Sequence, residues 1–143
     1  MISRYTRPAM GRIWSEENKY RMWLEVEATS SETLAEAGIV PLSAARAIRA
    51  HADVDVARIQ EIEAEVKHDV IAFTTAVAEK VGPESRWLHY GLTSNDVVDT
   101  AQALQIKAAS GIIREGILAL AAILRQRALE FKQIGRASCR ERV

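Results

Sequence analysis

Trp87-Leu88-His89-Tyr90-Gly91-Leu92-Thr93-Ser94-Asn95-Asp96-Val97-Val98-Asp99-Thr100 sets a histidine, a glycine turn and two hydroxyl residues at the head of a helix. Thr93 or Ser94 can cap that helix, and Asp96 follows much as in a capping box, with Asp in place of Glu. No proline intervenes from Ser94 to about Lys132, and Gly111 and Gly116 only weaken the helix. At ~1.5 Å of rise per residue such a helix approaches a length of about 60 Å. Its stripe Ile113, Ile117, Leu120, Leu124 extends beyond anything the compact first part can cover. The helix therefore needs bundle partners from other sequence or other subunits. The stripe reads as core packing and not as a ligand site.

Upstream of this helix the pattern is also helical. The first ten residues, with Pro8, read as an irregular arm. From Ser15 to Ala37, Trp23, Val26, Ser30 and Leu34 fall on one face, Ser15 with Glu16 and Glu17 signals a start, and Gly38 with Pro41 a stop. A short Ala-rich helix runs from Ser43 to about His51. Asp53 or Asp55 can cap the next, whose apolar face is Val56, Ile59, Ile62 and Val66. Another begins near Asp69, carries Val70, Phe73, Val77 and Val81, and ends at Gly82-Pro83. No strand-like alternation survives more than a few residues, so the chain is expected to be all-α. Trp14 and Trp23 read as core.

Composition excludes several classes. The 143 residues carry 19 basic and 19 acidic side chains, with no basic block before the last ten residues, so nucleic acid is not an expected partner. The longest strongly apolar run, Gly116 to Leu124, is too short to span a bilayer, so no membrane partner is expected, and Met1-Ile2-Ser3-Arg4-Tyr5 lacks the apolar core of a signal peptide. A single cysteine allows no internal disulfide, which is compatible with the cytoplasm. The three histidines lack i, i+4 or cysteine-assisted spacing, so no metal site is expected.

Three short elements carry candidate chemistry. A helix start exposes N–H groups and partial positive charge, so the Thr93-Ser94 start can seat a carboxylate or phosphate. His89 can transfer a proton or donate a hydrogen bond beside that anion. Next to Trp87 and Tyr90, it equally fits a partly buried structural side chain. In Lys67-His68-Asp69, Asp69 can orient His68 while Lys67 attracts an anion. The same triplet also fits ordinary helix-end chemistry, with Asp as a cap and Lys and His near the preceding C-terminus. Arg4-Tyr5 can clamp a phosphate through the guanidinium fork, although alone it is only an exposed arm. His51 reads as surface.

The last ten residues, Ile134-Gly135-Arg136-Ala137-Ser138-Cys139-Arg140-Glu141-Arg142-Val143, break the helical pattern. They back-translate as ATC GGA AGA GCG TCG TGT AGG GAA AGA GTG, a common sequencing-adapter sequence read in frame. Residues 134–143 are therefore read as a non-native tail, and Cys139 is given no function. Taking its three Arg and one Glu from 19 and 19 leaves 16 basic and 18 acidic side chains, a net charge of −2.

Several motifs in order carry a resemblance: Ser3-Arg4-Tyr5 with Pro8 and Met10, Ile13-Trp14, Trp23-Leu24-Glu25-Val26-Glu27, Lys67-His68-Asp69-Val70, and Trp87 through Asp96. Over residues 1 to about 133 the chain resembles the N-terminal part of the bacterial adenylosuccinate lyases, a family of the fumarase/aspartase superfamily. The Thr-Ser-Asn-Asp element alone would indicate only the superfamily. The resemblance implies an N-terminal helical domain over 1–93 and the first long helix of a central bundle over 94–133. It also implies a cofactor-free, cytoplasmic, homotetrameric lyase of purine biosynthesis. Such an enzyme releases fumarate by β-elimination from adenylosuccinate, giving AMP, and from the succinyl-carboxamide ribotide. By position, Arg4 and Tyr5 should bind the nucleotide phosphate end. Lys67, His68 and Asp69 should line the pocket, with His68 able to assist proton transfer. Thr93 and Ser94 should hold a succinyl carboxylate with His89 nearby.

In that family the acid histidine of a Thr/Ser-His-Gly segment and the basic serine of a mobile loop lie beyond the matched region. No turnover is expected from the chain alone. Another lyase of the superfamily, such as an argininosuccinate lyase or a carboxymuconate cycloisomerase, is the nearest alternative. A non-catalytic helical module that assembles through its last helix is a second.

Overall fold

The computed structural model describes residues 2–133, and the reading of the tail 134–143 lies outside them. Helices α1 (Pro8–Ile13), α2 (Glu16–Glu36), α3 (Leu42–His51), α4 (Val56–Val66), α5 (Asp69–Val81) and α6 (Ser94–Glu130) are joined by short turns, with 3-10 turns at Ser3–Tyr5 and Gly82–Trp87. No strand occurs among the described residues, so the all-α expectation holds. The irregular arm holds only as far as Arg7. Pro8 takes the first helical position of α1, where its missing N–H costs nothing and its fixed φ suits the helix. A helix of six residues is too short to leave a readable apolar period.

Ser15 caps α2 as its sequence suggests, its hydroxyl accepting the Asn18 N–H at 3.2 Å. Gly38, at φ 74°, ends it in the left-handed conformation that glycine adopts without strain. The buried face, however, is Tyr20, Trp23, Glu27, Ala28 and Ser31, while Val26, Ser30 and Leu34 are only partly covered. Aromatic packing turns the helix this way. Tyr20, Trp23 and Phe73 of α5 meet with ring centroids 5.2, 5.9 and 5.4 Å apart, two of the contacts edge-to-face. Trp14, expected in the core, is 39% exposed beside the α1–α2 turn.

Asp55 caps α4 by accepting the Arg58 N–H, while Asp53 instead pairs with Lys80 at 3.3 Å. Ile59 and Ile62 are buried, and Val66, at the last position of α4, is 43% exposed. All four expected residues of α5, Val70, Phe73, Val77 and Val81, are in the core. Arg49 ties α3 to α2 through Glu25 and Glu32 at 2.8 and 2.7 Å, and Arg58 ties α4 to α5 through Glu79 at 2.7 Å. Hydrogen bonding to Glu32 and then to Glu25 raises the Arg49 guanidinium above its ordinary pKa. Such exposed pairs contribute little beside the aromatic core.

The described residues fall into two compact units that meet within α6, one ending at Ala108 and the other beginning at Ala109. In the first, Val97, Ala101 and Gln105 form a buried i, i+4, i+8 stripe, and Gln105 donates to the Ile13 carbonyl at 2.7 Å. In the second, Ile113, Ile117, Leu120 and Leu124 are each more than half exposed. No helix among the described residues is long and apolar enough to cross a membrane.

Candidate active site

Lys67-His68-Asp69 forms the junction of α4 and α5. Lys67 closes α4 in the left-handed region, φ 56°, with its N–H on the Glu63 carbonyl. His68 is the N-cap of α5, its Nδ1 accepting the Ile71 N–H at 3.3 Å. The cap is thus the imidazole and not Asp69. Because Nδ1 accepts, the neutral ring carries its proton on Nε2. Asp69 does not orient His68: its Oδ1 accepts the Val70 N–H at 2.7 Å and lies 3.6 Å from His68 Nδ1, beyond hydrogen-bond reach. All three side chains remain open to solvent.

The second element follows the Gly82–Trp87 turn. His89 stands at φ 61° and Gly91 at φ 74°, so the chain makes two left-handed steps before α6. Glycine takes its step freely, whereas histidine needs an external hold. That hold is Glu27 of α2. One carboxylate oxygen accepts the His89 backbone N–H at 2.8 Å, and the other lies 2.6 Å from His89 Nδ1. Asp96 closes the helix start by accepting the Thr93 N–H at 2.7 Å, the return half of a capping box. Thr93 is exposed and Ser94 half-buried, beside the remaining N–H groups of the first turn. Arg4 and Tyr5 are both exposed on the first 3-10 turn, the guanidinium 4.8 Å from the Tyr5 ring centre.

The fold brings His89, Thr93 and Ser94 onto one short segment. Among the described residues no hydrogen bond or ion pair joins that segment to Lys67-His68-Asp69 or to Arg4-Tyr5. A groove of about 330 Å³ beside Trp14, Lys19, Trp23 and Gln105 contains none of these residues. No group of three or more potential metal ligands occurs among the described residues.

Glu27 was not among the expected site residues. Beyond its place in the Trp23–Glu27 motif, its signal was position: it follows Trp23 by four and precedes Ser31 by four, on the face that turns inward. A charged side chain there is a break in an apolar face unless something pairs with it.

Lys67 and His89 are the two non-glycine residues at positive φ among those described, and both lie in the elements singled out by their chemistry. Strain of this kind concentrates where a side chain is needed at a fixed place. Among the described residues no side chain holds Lys67 as Glu27 holds His89. Lys67→Gly is therefore expected to stabilise the chain by about 1 kcal/mol in urea unfolding. An unchanged or lower midpoint would show that the lysine side chain itself stabilises the junction.

The comparisons with known proteins bear on the family of the chain. A family described as lyase matches residues 3–138. Over 132 residues the chain is 52% identical to the adenylosuccinate lyase of Streptococcus mutans. It is 48% identical to that of Staphylococcus saprophyticus and 46% to that of Bacillus subtilis. Each match covers 92% of this chain, which spans about 31% of the length of those relatives. Among solved structures, the 3-carboxy-cis,cis-muconate lactonizing enzyme of Pseudomonas putida superposes with a TM-score of 0.82 at 32% identity, over 90% of this chain and 31% of that one. A fumarate lyase from a Mesorhizobium species superposes at 0.70 and 27% identity, over 82% and 29%. An all-helical chain with these matches belongs to the lyase family of the fumarase/aspartase superfamily.

Proposed function

We propose that this chain forms the N-terminal part of an adenylosuccinate lyase, with residues 1–93 as its first domain and 94–133 as the first helix of its central bundle. The reaction is a β-elimination. A base removes a carbon-bound proton of the succinyl group, the carbon–nitrogen bond breaks, an acid protonates the departing nitrogen, and fumarate and AMP result. The same chemistry serves the succinyl-carboxamide ribotide, an earlier compound of purine biosynthesis. One proton leaves and one arrives, so no cofactor is required.

In this reading Arg4 and Tyr5 take the nucleotide phosphate, and Lys67, His68 and Asp69 line the pocket. Thr93 and Ser94 hold a succinyl carboxylate at the helix start, where fixed donors stabilise the charge that develops on it. His89 faces the same substrate end and assists proton transfer. The observation that carries the assignment of the site is the left-handed backbone at Lys67 and His89, one residue in each of two of the three candidate elements. Identities of 46–52% to adenylosuccinate lyases, against 32% and 27% to the two other enzymes, favour adenylosuccinate as substrate.

The candidate residues sit in three separate elements, with Arg4, Tyr5, Lys67, His68, Asp69 and Thr93 exposed, which supports a pocket completed by other subunits of a homotetramer, as expected of a cytoplasmic enzyme of this family. The exposed stripe Ile113, Ile117, Leu120, Leu124 supports the same assembly, since an apolar face of this kind seeks helical partners. The test is a graft: residues 2–133 replace the matching segment of the Bacillus subtilis relative, and fumarate release is followed with adenylosuccinate and with 3-carboxymuconate. Turnover of adenylosuccinate alone supports the proposal, and turnover of the muconate alone would transfer the chain to the other branch of the superfamily.

A further inference from the structure

Glu27 is fully buried on α2, and both of its carboxylate oxygens serve a residue 62 positions later. An ionised carboxylate only accepts. Its two contacts, at 2.8 Å to the His89 backbone N–H and 2.6 Å to Nδ1, are therefore satisfied together only if Nδ1 carries the proton. Nε2 keeps the ring's lone pair and has no partner among the described residues. We infer that Glu27 is a positioning residue: it pins His89 in its left-handed conformation, fixes the Nδ1–H tautomer, and presents Nε2 to the substrate as the acting nitrogen. The substrate-facing part of this inference rests on the proposed role of His89, whereas the tautomer does not.

The geometry makes a sharp demand on an isosteric change. In Glu27→Gln the side chain has one acceptor and one donor. The backbone N–H can only donate, so the amide oxygen must face it and the NH₂ must face Nδ1. The ring then accepts at Nδ1 and moves its proton to Nε2. A substitution that preserves shape should thus invert the tautomer, turning Nε2 from acceptor to donor. Burial or packing alone predicts no such inversion.

The chain has three histidines, and His68 supplies the opposite standard within the same molecule because its Nδ1 accepts from Ile71. With ¹⁵N-histidine label and the rings neutral, long-range proton–nitrogen correlation should show His89 with a pyrrole-type Nδ1 and a pyridine-type Nε2. His68 should show the reverse. His89→Asn identifies the His89 signals. Glu27→Gln should exchange the two His89 nitrogen types and leave His51 and His68 unchanged. A pyridine-type Nδ1 in the unaltered chain would overturn the inference without any variant, which keeps the test decisive if the glutamine form does not fold. So would a folded glutamine variant with its His89 tautomer unchanged. The readout is the ring itself, so an inactive graft would remove the lyase reading and leave this result standing.

Discussion

Phe73→Ala is expected to lower the unfolding free energy of the chain by about 4 kcal/mol, in the range found for removing a buried aromatic ring. Phe73 is fully buried, lies nearly parallel to Tyr20 and meets Trp23 edge-on, so its loss removes two ring contacts and leaves a cavity between α2 and α5. Against a total stability of about 5–15 kcal/mol for a typical domain, this is a large share. Urea unfolding followed by tryptophan fluorescence measures it, since Trp23 lies 5.4 Å from the missing ring. A change below about 1 kcal/mol would mean that the three rings are not the centre of the core.

The second large effect separates two roles of His89. His89→Ala leaves the buried Glu27 carboxylate without the ring N–H that faces it, and an unsatisfied buried group of this kind costs about 3 kcal/mol. His89→Asn is different in kind. Asparagine tolerates left-handed φ, and its amide can donate to Glu27 where Nδ1 did, but it has no counterpart of Nε2. In the graft, the asparagine form is expected to unfold close to the parent midpoint while kcat falls by a factor of about 10²–10⁴, the usual worth of a positioned acid or base. The alanine form should lose both. If the asparagine form keeps full kcat, His89 is a structural residue and its left-handed backbone serves folding only.

What was legible in the sequence was mostly local. Ser15, Asp55 and Gly38 act on N–H and C=O groups within a few positions of themselves, so their types announce their roles. The stripe of α5 was legible because Val70, Phe73, Val77 and Val81 are apolar and fall on the face that packs. The face of α2 was not. Glu27 and Ser31 are polar, and only a partner 62 residues away makes burial of the first affordable, so periodicity favoured Val26 and Leu34. The junction of α4 and α5 misled in a smaller way. Asp is the commoner cap, yet the imidazole of His68 takes that place and Asp69 bonds its neighbour's N–H. Anion-binding chemistry could be read at each of three elements, but nothing in the spacing of residues 4, 67 and 93 said whether one chain brings them together. Among the described residues no hydrogen bond joins them.

As proposed, this chain supplies the N-terminal part of a fumarate-releasing lyase acting on adenylosuccinate. The most direct test is the steady-state rate of fumarate release from adenylosuccinate by the Bacillus subtilis relative carrying residues 2–133 of this chain. Turnover of the same order as that of the unaltered relative is expected, with most of it lost in the Ser94→Ala and His89→Asn forms. A graft that folds and assembles as the parent does, yet releases no fumarate from adenylosuccinate, would contradict it.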